Sequence, residues 1–246
     1  SANRSNILRT NLFRKIFHYR LVNIILLCCY TACRFMKKII YILFVSVFVP
    51  ILLMACLIEK KARRPIIFVL IGIFISVFAA EVNGLLGDLL PMTTYEITII
   101  VTPITEEILK AVPILIFATV LTAKKEALFT ASMAVGIGFA VLENAFFMLT
   151  DTSFNMVDAV IRAFGAGLMH GMCTLLVGVG ILFVKKKPKL FVVGTFAMLS
   201  TAITYHGIYN MLVQSDFRVI GYLLPITTYI PFVVWRIKKK KQMKSG

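Results

Sequence analysis

The stretch Thr102-Pro103-Ile104-Thr105-Glu106-Glu107-Ile108-Leu109-Lys110 sets two adjacent carboxylates and an ammonium inside Ile97 to Leu121, a run otherwise apolar enough to cross a membrane. An ionisable side chain near the bilayer centre costs about 2.5 to 3.5 kcal/mol on insertion scales, so three of them within one helical turn and a half need a polar cavity to face. Glu143, His170 and His206 are embedded in apolar runs as well, whereas most other acidic residues lie at span ends. Two carboxylates held close together out of water share a proton, and the ionised one is a general base for water. Imidazole and amide donors on facing helices then stabilise the oxyanion of a tetrahedral intermediate. That equipment suits peptide-bond hydrolysis.

Other intramembrane hydrolase patterns are missing. There is no HExxH for a zinc site, and Asp88 in Gly84-Leu85-Leu86-Gly87-Asp88 lacks the GxGD spacing of the aspartyl type. Glu106, Glu143, His170 and His206 are also reasonable ligands for a divalent metal such as zinc, so the expectation of no cofactor stands beside a metal alternative. A second function class uses the same buried carboxylates without hydrolysis, as an immunity-type binding protein or a proton-linked transporter. Transport often brings inverted-repeat symmetry, and no such repeat is visible.

The positioning elements follow from composition. Of 246 residues 59% are hydrophobic and 15% charged, with a mean hydropathy of +0.90, which excludes an ordinary soluble domain. The expected fold is an all-α polytopic transmembrane bundle of seven or eight spans, with an intramembrane polar cavity open to the extracytoplasmic side. The net charge of +16 raises nucleic acid as a partner, but Lys and Arg sit in short clusters between apolar runs rather than along one polar face. The expected partners are therefore the lipid bilayer and a membrane protein, with no nucleic acid. Cys28, Cys29, Cys33, Cys56 and Cys173 all lie in apolar stretches and make no CxxC pair. Residues 1–35, upstream of Met36-Lys37-Lys38, read as an N-terminal extension or an extra helix, with Leu21 to Ala32 apolar but short for a span. Residues 36–246 form the membrane domain.

Seven spans are expected: Ile39 to Ile58, Pro65 to Val82, Thr94 to Leu121, Ala127 to Leu149, Asp158 to Val184, Leu190 to Val213 and Phe217 to Trp235. The connections holding Lys60-Lys61-Ala62-Arg63-Arg64, Lys124-Lys125 and Lys185-Lys186-Lys187-Pro188-Lys189, and the tail Arg236 to Lys241, are basic and fall on one side. The alternating connections carry Asp88, Asp151 with Asp158, and Asp216 beside Arg218. By the positive-inside rule the basic side and the C-terminus are cytoplasmic, with Lys37-Lys38 the one misfit.

Helical spacing then groups the polar residues. Lys110 stands four after Glu106 and three after Glu107, so it reaches back to either. His206 and Asn210 share a face; so do His170 and Thr174, with Arg162 two turns earlier; Glu143 is four after Phe139. Gly136 and Gly138 thin one helix, and Gly165, Gly167 and Gly171 the next. In straight helices Glu106, Glu107 and His170 lie roughly 18 Å, and Glu143 and His206 roughly 10 Å, from the outer ends of their spans. All fall in the outer half of the bilayer, with Pro103 and Pro113 able to tilt or break the first helix. A helix-face argument does not choose between Glu106 and Glu107, which differ by about 100°.

Glu106-Glu107-Ile108-Leu109-Lys110 matches the EExxK motif of the PrsW family of intramembrane proteases. Phe139-Ala140-Val141-Leu142-Glu143-Asn144 resembles its FxxxE motif, Arg162 through His170 to Thr174 its third, and His206-Gly207-Ile208-Tyr209-Asn210 its HxxxN or HxxxD motif. The resemblance covers about Thr94 to Val213. It extends distantly to CAAX prenyl endopeptidases and bacterial immunity-type proteins, from which Lys110 and Glu143 depart. It implies a protease of the bacterial plasma membrane that makes the first cut in a single-span protein, such as an anti-sigma factor, and so releases a stress response. By that analogy Glu106 activates water with help from Glu143 or Glu107, His206 and Asn210 hold the oxyanion, and His170 is a second donor or proton partner. Lys110, Phe139, Asn144, Arg162 and Thr174 support them.

Overall fold

The computed structural model describes residues 44, 47–49, 51–52, 60–121, 124–150, 156–186 and 191–245, all within the compact unit Leu43–Gly246. The extension 1–35 and most of the Ile39 to Ile58 run lie outside the described residues. Among those described, all regular structure is helical, as a chain in hydrocarbon requires when every backbone N–H must find its acceptor within its own segment. In order these are α1 (Lys60–Leu89), the one-turn α2 (Thr94–Glu96), a π-turn (Ile97–Val101), α3 (Thr102–Val120), α4 (Lys125–Thr150), α5 (Met156–Lys186), a second π-turn (Phe191–Phe196), α6 (Ala197–Val213) and α7 (Arg218–Ser245).

Three of the described helices are long and apolar enough to cross a membrane: Ala62–Leu89, Lys125–Thr150 and Ala159–Leu182. They coincide with the second, fourth and fifth expected spans. The third and sixth expected spans are each a π-turn running into a shorter helix, and α3 carries Glu106, Glu107 and Lys110 within its 19 residues. Large apolar side chains face outward all round, among them Phe74, Phe78, Ile104, Ile108, Val112 and Phe164. Charged and polar groups are buried instead: Glu107, Lys110, His170 and Thr174 are fully enclosed. Apolar outside and ionic inside is the arrangement of a chain dissolved in lipid.

Helices α1, α4 and α5 pack most extensively, α4 lying between the other two. Glycine makes this possible. A Cβ at Gly72 of α1 would stand 2.1 Å from the Val135 carbonyl oxygen, and one at Gly138 of α4 would stand 2.1 Å from that of Val69, so the two backbones touch. On the other side of α4, a Cβ at Gly136 would stand 2.3 Å from the His170 carbonyl oxygen. Phe68, Phe117, Leu128, Val135, Phe139 and Val177 fill the interior around these contacts.

The π-turn before α3 has a traceable cause. Thr93 caps α2 reciprocally: its amide donates to the Glu96 carboxylate at 2.7 Å, and its hydroxyl accepts from the Glu96 amide at 3.3 Å. The Thr102 amide bonds to the carbonyl of Ile97 rather than Thr98, a step of five residues. In that register the Thr98 carbonyl would take its proton from residue 103, which is proline and has none. The amide of Asn210 in α6 supplies it, at 3.0 Å. Pro103 thus interrupts the helix, as its position suggested, by forcing a wider turn that α6 completes.

Candidate active site

Glu106, Glu107 and Lys110 fall within the first half of α3, Glu143 on α4, His170 on α5 and His206 on α6. All lie nearer the end of the bundle where α1 meets α2, α4 meets α5 and α6 meets α7. The opposite end holds a cleft of about 490 Å³ between the starts of α1 and α4, lined by residues such as Arg64, Phe68, Glu126 and Thr130. That cleft contains none of the candidate residues.

The buried groups form one chain of hydrogen bonds. The Lys110 ammonium donates to Oε1 of Glu107 at 2.6 Å and to Nδ1 of His170 at 2.9 Å. An ammonium has no acceptor, so Nδ1 of His170 accepts and Nε2 carries the proton. That Nε2–H donates to Oε2 of Glu143 at 2.5 Å, whose other oxygen lies 3.5 Å from the Arg162 guanidinium. Nδ1–H of His206 donates to the same Glu107 oxygen at 2.9 Å. The Glu107 carboxylate only accepts, so in neutral His206 it is Nε2 that holds the free lone pair. Phe139 packs beneath this knot, with Lys110 Nζ 4.4 Å from its ring centre and the His170 ring 5.0 Å away.

Glu106 is placed differently. Its Oε1 accepts from the Asn83 amide of α1 at 3.3 Å. Its Oε2 is buried without a hydrogen-bond partner and lies 3.9 Å from Nε2 of His206. Glu107 also has an unpartnered oxygen, but it is neutralised by a lysine in direct contact. Among the described residues, Glu106 has no lysine or arginine at that range.

The remaining candidates border this centre, Arg162 through its contact with Glu143 and Thr174 through its own helix. Asn210 is spent in part on the Thr98 carbonyl and keeps one amide N–H. Thr174 donates to the His170 carbonyl at 2.9 Å, within its own helix. Asn144 is buried with its side-chain oxygen unpartnered. Arg162 lies across Phe147, 3.8 Å from the ring centre. Sequence reasoning missed Asn83 and Thr105; an amide inside an apolar run was the available signal at Asn83.

Ligand atoms of Glu106, His170 and His206 all lie within 4.8 Å of one another. With Oε2 of Glu106 unpartnered and Glu107 orienting the far nitrogen of His206, this donor set fits a divalent ion held by two histidines and a carboxylate. Glu143, the fourth expected ligand, lies outside that group and accepts from Nε2 of His170. His170 has both ring nitrogens engaged, so it would exchange one of those bonds to become a ligand.

A family model described as PrsW family intramembrane metalloprotease matches residues 61–236. No curated protein and no solved structure matches the chain. The matched stretch takes in every helix that contributes to the buried chain of carboxylates and imidazoles, and the chain belongs to the PrsW family of intramembrane proteases.

Proposed function

We propose that the protein is an intramembrane endopeptidase of seven or eight spans in which Glu106 activates the attacking water. The observation that carries this is the unpartnered Oε2 of Glu106 facing the free Nε2 of His206 at 3.9 Å. The gap is too long for a direct hydrogen bond, and a water between them donates one proton to each acceptor, which turns an oxygen lone pair toward a substrate carbonyl. Attack forms the C–O bond as a water proton passes to Oε2 of Glu106. Collapse of the tetrahedral intermediate breaks the C–N bond, and Glu106 returns that proton to the leaving amine. Glu107, fixed by Lys110, keeps His206 in the required tautomer, and the remaining amide proton of Asn210 faces the oxyanion. Glu143 with His170 is the second carboxylate and imidazole of the set.

The substrate is a single-span membrane protein, anti-sigma-factor-like, cut near its extracytoplasmic boundary. The placement of all four motif segments toward the end with acidic connections supports this, with the basic connections and the C-terminus on the cytoplasmic side of a bacterial plasma membrane.

A second reading is favoured by the proximity of Glu106, His170 and His206. A divalent ion held there would act as a Lewis acid on water. Elemental analysis of the purified protein checks it: about one equivalent of zinc, lost in Glu106→Gln and in His206→Gln, favours the metal, and full cleavage in a chelator with no bound metal excludes it.

The test of function is mass spectrometry of labelled protein N-termini in membranes from cells carrying the chain or its Glu106→Gln, Glu107→Gln variant. New N-termini in an extracytoplasmic juxtamembrane segment, present only with the unmodified chain, are the expected result. Identical profiles at equal abundance would move the assignment to a binding or transport role.

A further inference from the structure

The four motifs that mark the family lie on α3 to α6, yet the carboxylate assigned as the base is held from α1. Glu106 has two oxygens and a rotatable terminal torsion, so something must decide which oxygen meets the water. Oε1 takes the Asn83 amide at 3.3 Å. The other end of that amide is also fixed, because the Thr105 hydroxyl lies 2.5 Å from Oδ1 of Asn83. The chemistry sets the order. A carboxylate accepts only, so the nitrogen of Asn83 must face Glu106, its oxygen must face Thr105, and the Thr105 hydroxyl must donate. The single proton of that hydroxyl is shared between Asn83 and the Val101 carbonyl oxygen, 2.7 Å away at the junction of the π-turn and α3.

We propose that Asn83 is a positioning residue for the reaction: it holds Oε1 of Glu106, directed by Thr105, so that Oε2 is presented to His206. The inference rests on the assignment of Glu106 as the reacting carboxylate. It explains how one of two adjacent glutamates is singled out. Glu107 is clamped by a cation, while Glu106 is clamped by a neutral amide that orients it without quenching its charge.

Two measurements test it. In protein labelled with ¹³C-glutamate and ¹⁵N-asparagine and placed in lipid bilayers, solid-state NMR is expected to show a direct dipolar contact between the Asn83 side-chain nitrogen and the Glu106 carboxyl carbon, lost in Asn83→Leu. Cleavage kinetics then use the purified single-span precursor of the N-terminus identified in the membrane experiment. A hydrogen bond to a charged group removed without loss of substrate contacts lowers kcat by about tenfold or more and leaves KM unmoved. Asn83→Gln recovers part of the rate. If Asn83→Leu fails to fold, Thr105→Val and Thr105→Ser decide, with the valine variant slow and the serine variant restored. Absence of the NMR contact overturns the proposal, as does a full kcat in Asn83→Leu or Thr105→Val while Glu106→Gln is inactive. A fully active Glu106→Gln instead removes the reading on which it rests.

Discussion

At the scale of single residues, the adjacent glutamates have different partners, Asn83 for Glu106 and Lys110 for Glu107, and their substitutions separate them. Glu106→Gln keeps the shape and the Asn83 contact on one side but removes the proposed base. Cleavage is expected to fall by about 10² or more, the usual contribution of general acid–base catalysis, with folding retained in detergent. Lys110 behaves otherwise. Buried completely with Glu107, it cannot be removed alone: Lys110→Met leaves an uncompensated buried charge, which costs about 3 to 5 kcal/mol. Adding Glu107→Gln to Lys110→Met removes that charge and recovers stability, and denaturant unfolding in micelles compares the two. Equal destabilisation of single and double variants would contradict the pairing. The pairs within one helix were legible from spacing alone, because Glu107 and Lys110 at three apart meet in any α-helix. The choice of Glu107 over Glu106 as lysine partner was not, since it depends on where His170 and His206 stand on other helices. Asn83 was hidden for the same reason: its partner is 23 positions away, and no periodicity encodes a contact between helices.

At the scale of elements, the π-turn before α3 is a backbone defect repaired from outside. Asn210→Ala leaves the Thr98 carbonyl without its donor, which costs about 1 to 3 kcal/mol if the group stays buried. Hydrogen exchange at Ile97 to Val101 is expected to quicken. Pro103→Ala returns an N–H to the position that Thr98 would use, so the double variant Pro103→Ala, Asn210→Ala is expected to exchange more slowly than Asn210→Ala alone. If it does not, the repair does not work through that carbonyl. Pro103 pointed to an interruption of this helix from its position in the chain. That the interruption takes the form of a wider turn, stitched to α6 by the asparagine of the fourth motif, needed the register of Thr102 on Ile97. Asn210 therefore has a structural duty alongside the one expected of it, and activity lost in its variants reports both.

For the whole molecule, the all-helical class and the membrane character were readable from composition and from apolar runs such as Pro65 to Val82. The number of spans was less so, because length and hydropathy mark a span only where few charges interrupt it, and α3 is interrupted by its own chemistry. Topology has a direct check. In a background free of native cysteines, a cysteine at position 153 is expected to react with a membrane-impermeant maleimide in intact cells, and one at position 188 only after lysis. The reverse pattern would invert the bundle and place the buried carboxylates on the cytoplasmic side. The bare backbone contacts at Gly72, Gly136 and Gly138 carry a practical consequence for anyone mapping this protein by saturation mutagenesis. No other residue fits where a Cβ would stand 2.1 to 2.3 Å from a neighbouring carbonyl oxygen. A screen scored by loss of cleavage is expected to rank these chemically inert positions beside Glu106, the proposed base, and only a parallel count of protein reaching the membrane will tell lost chemistry from a bundle that never closed.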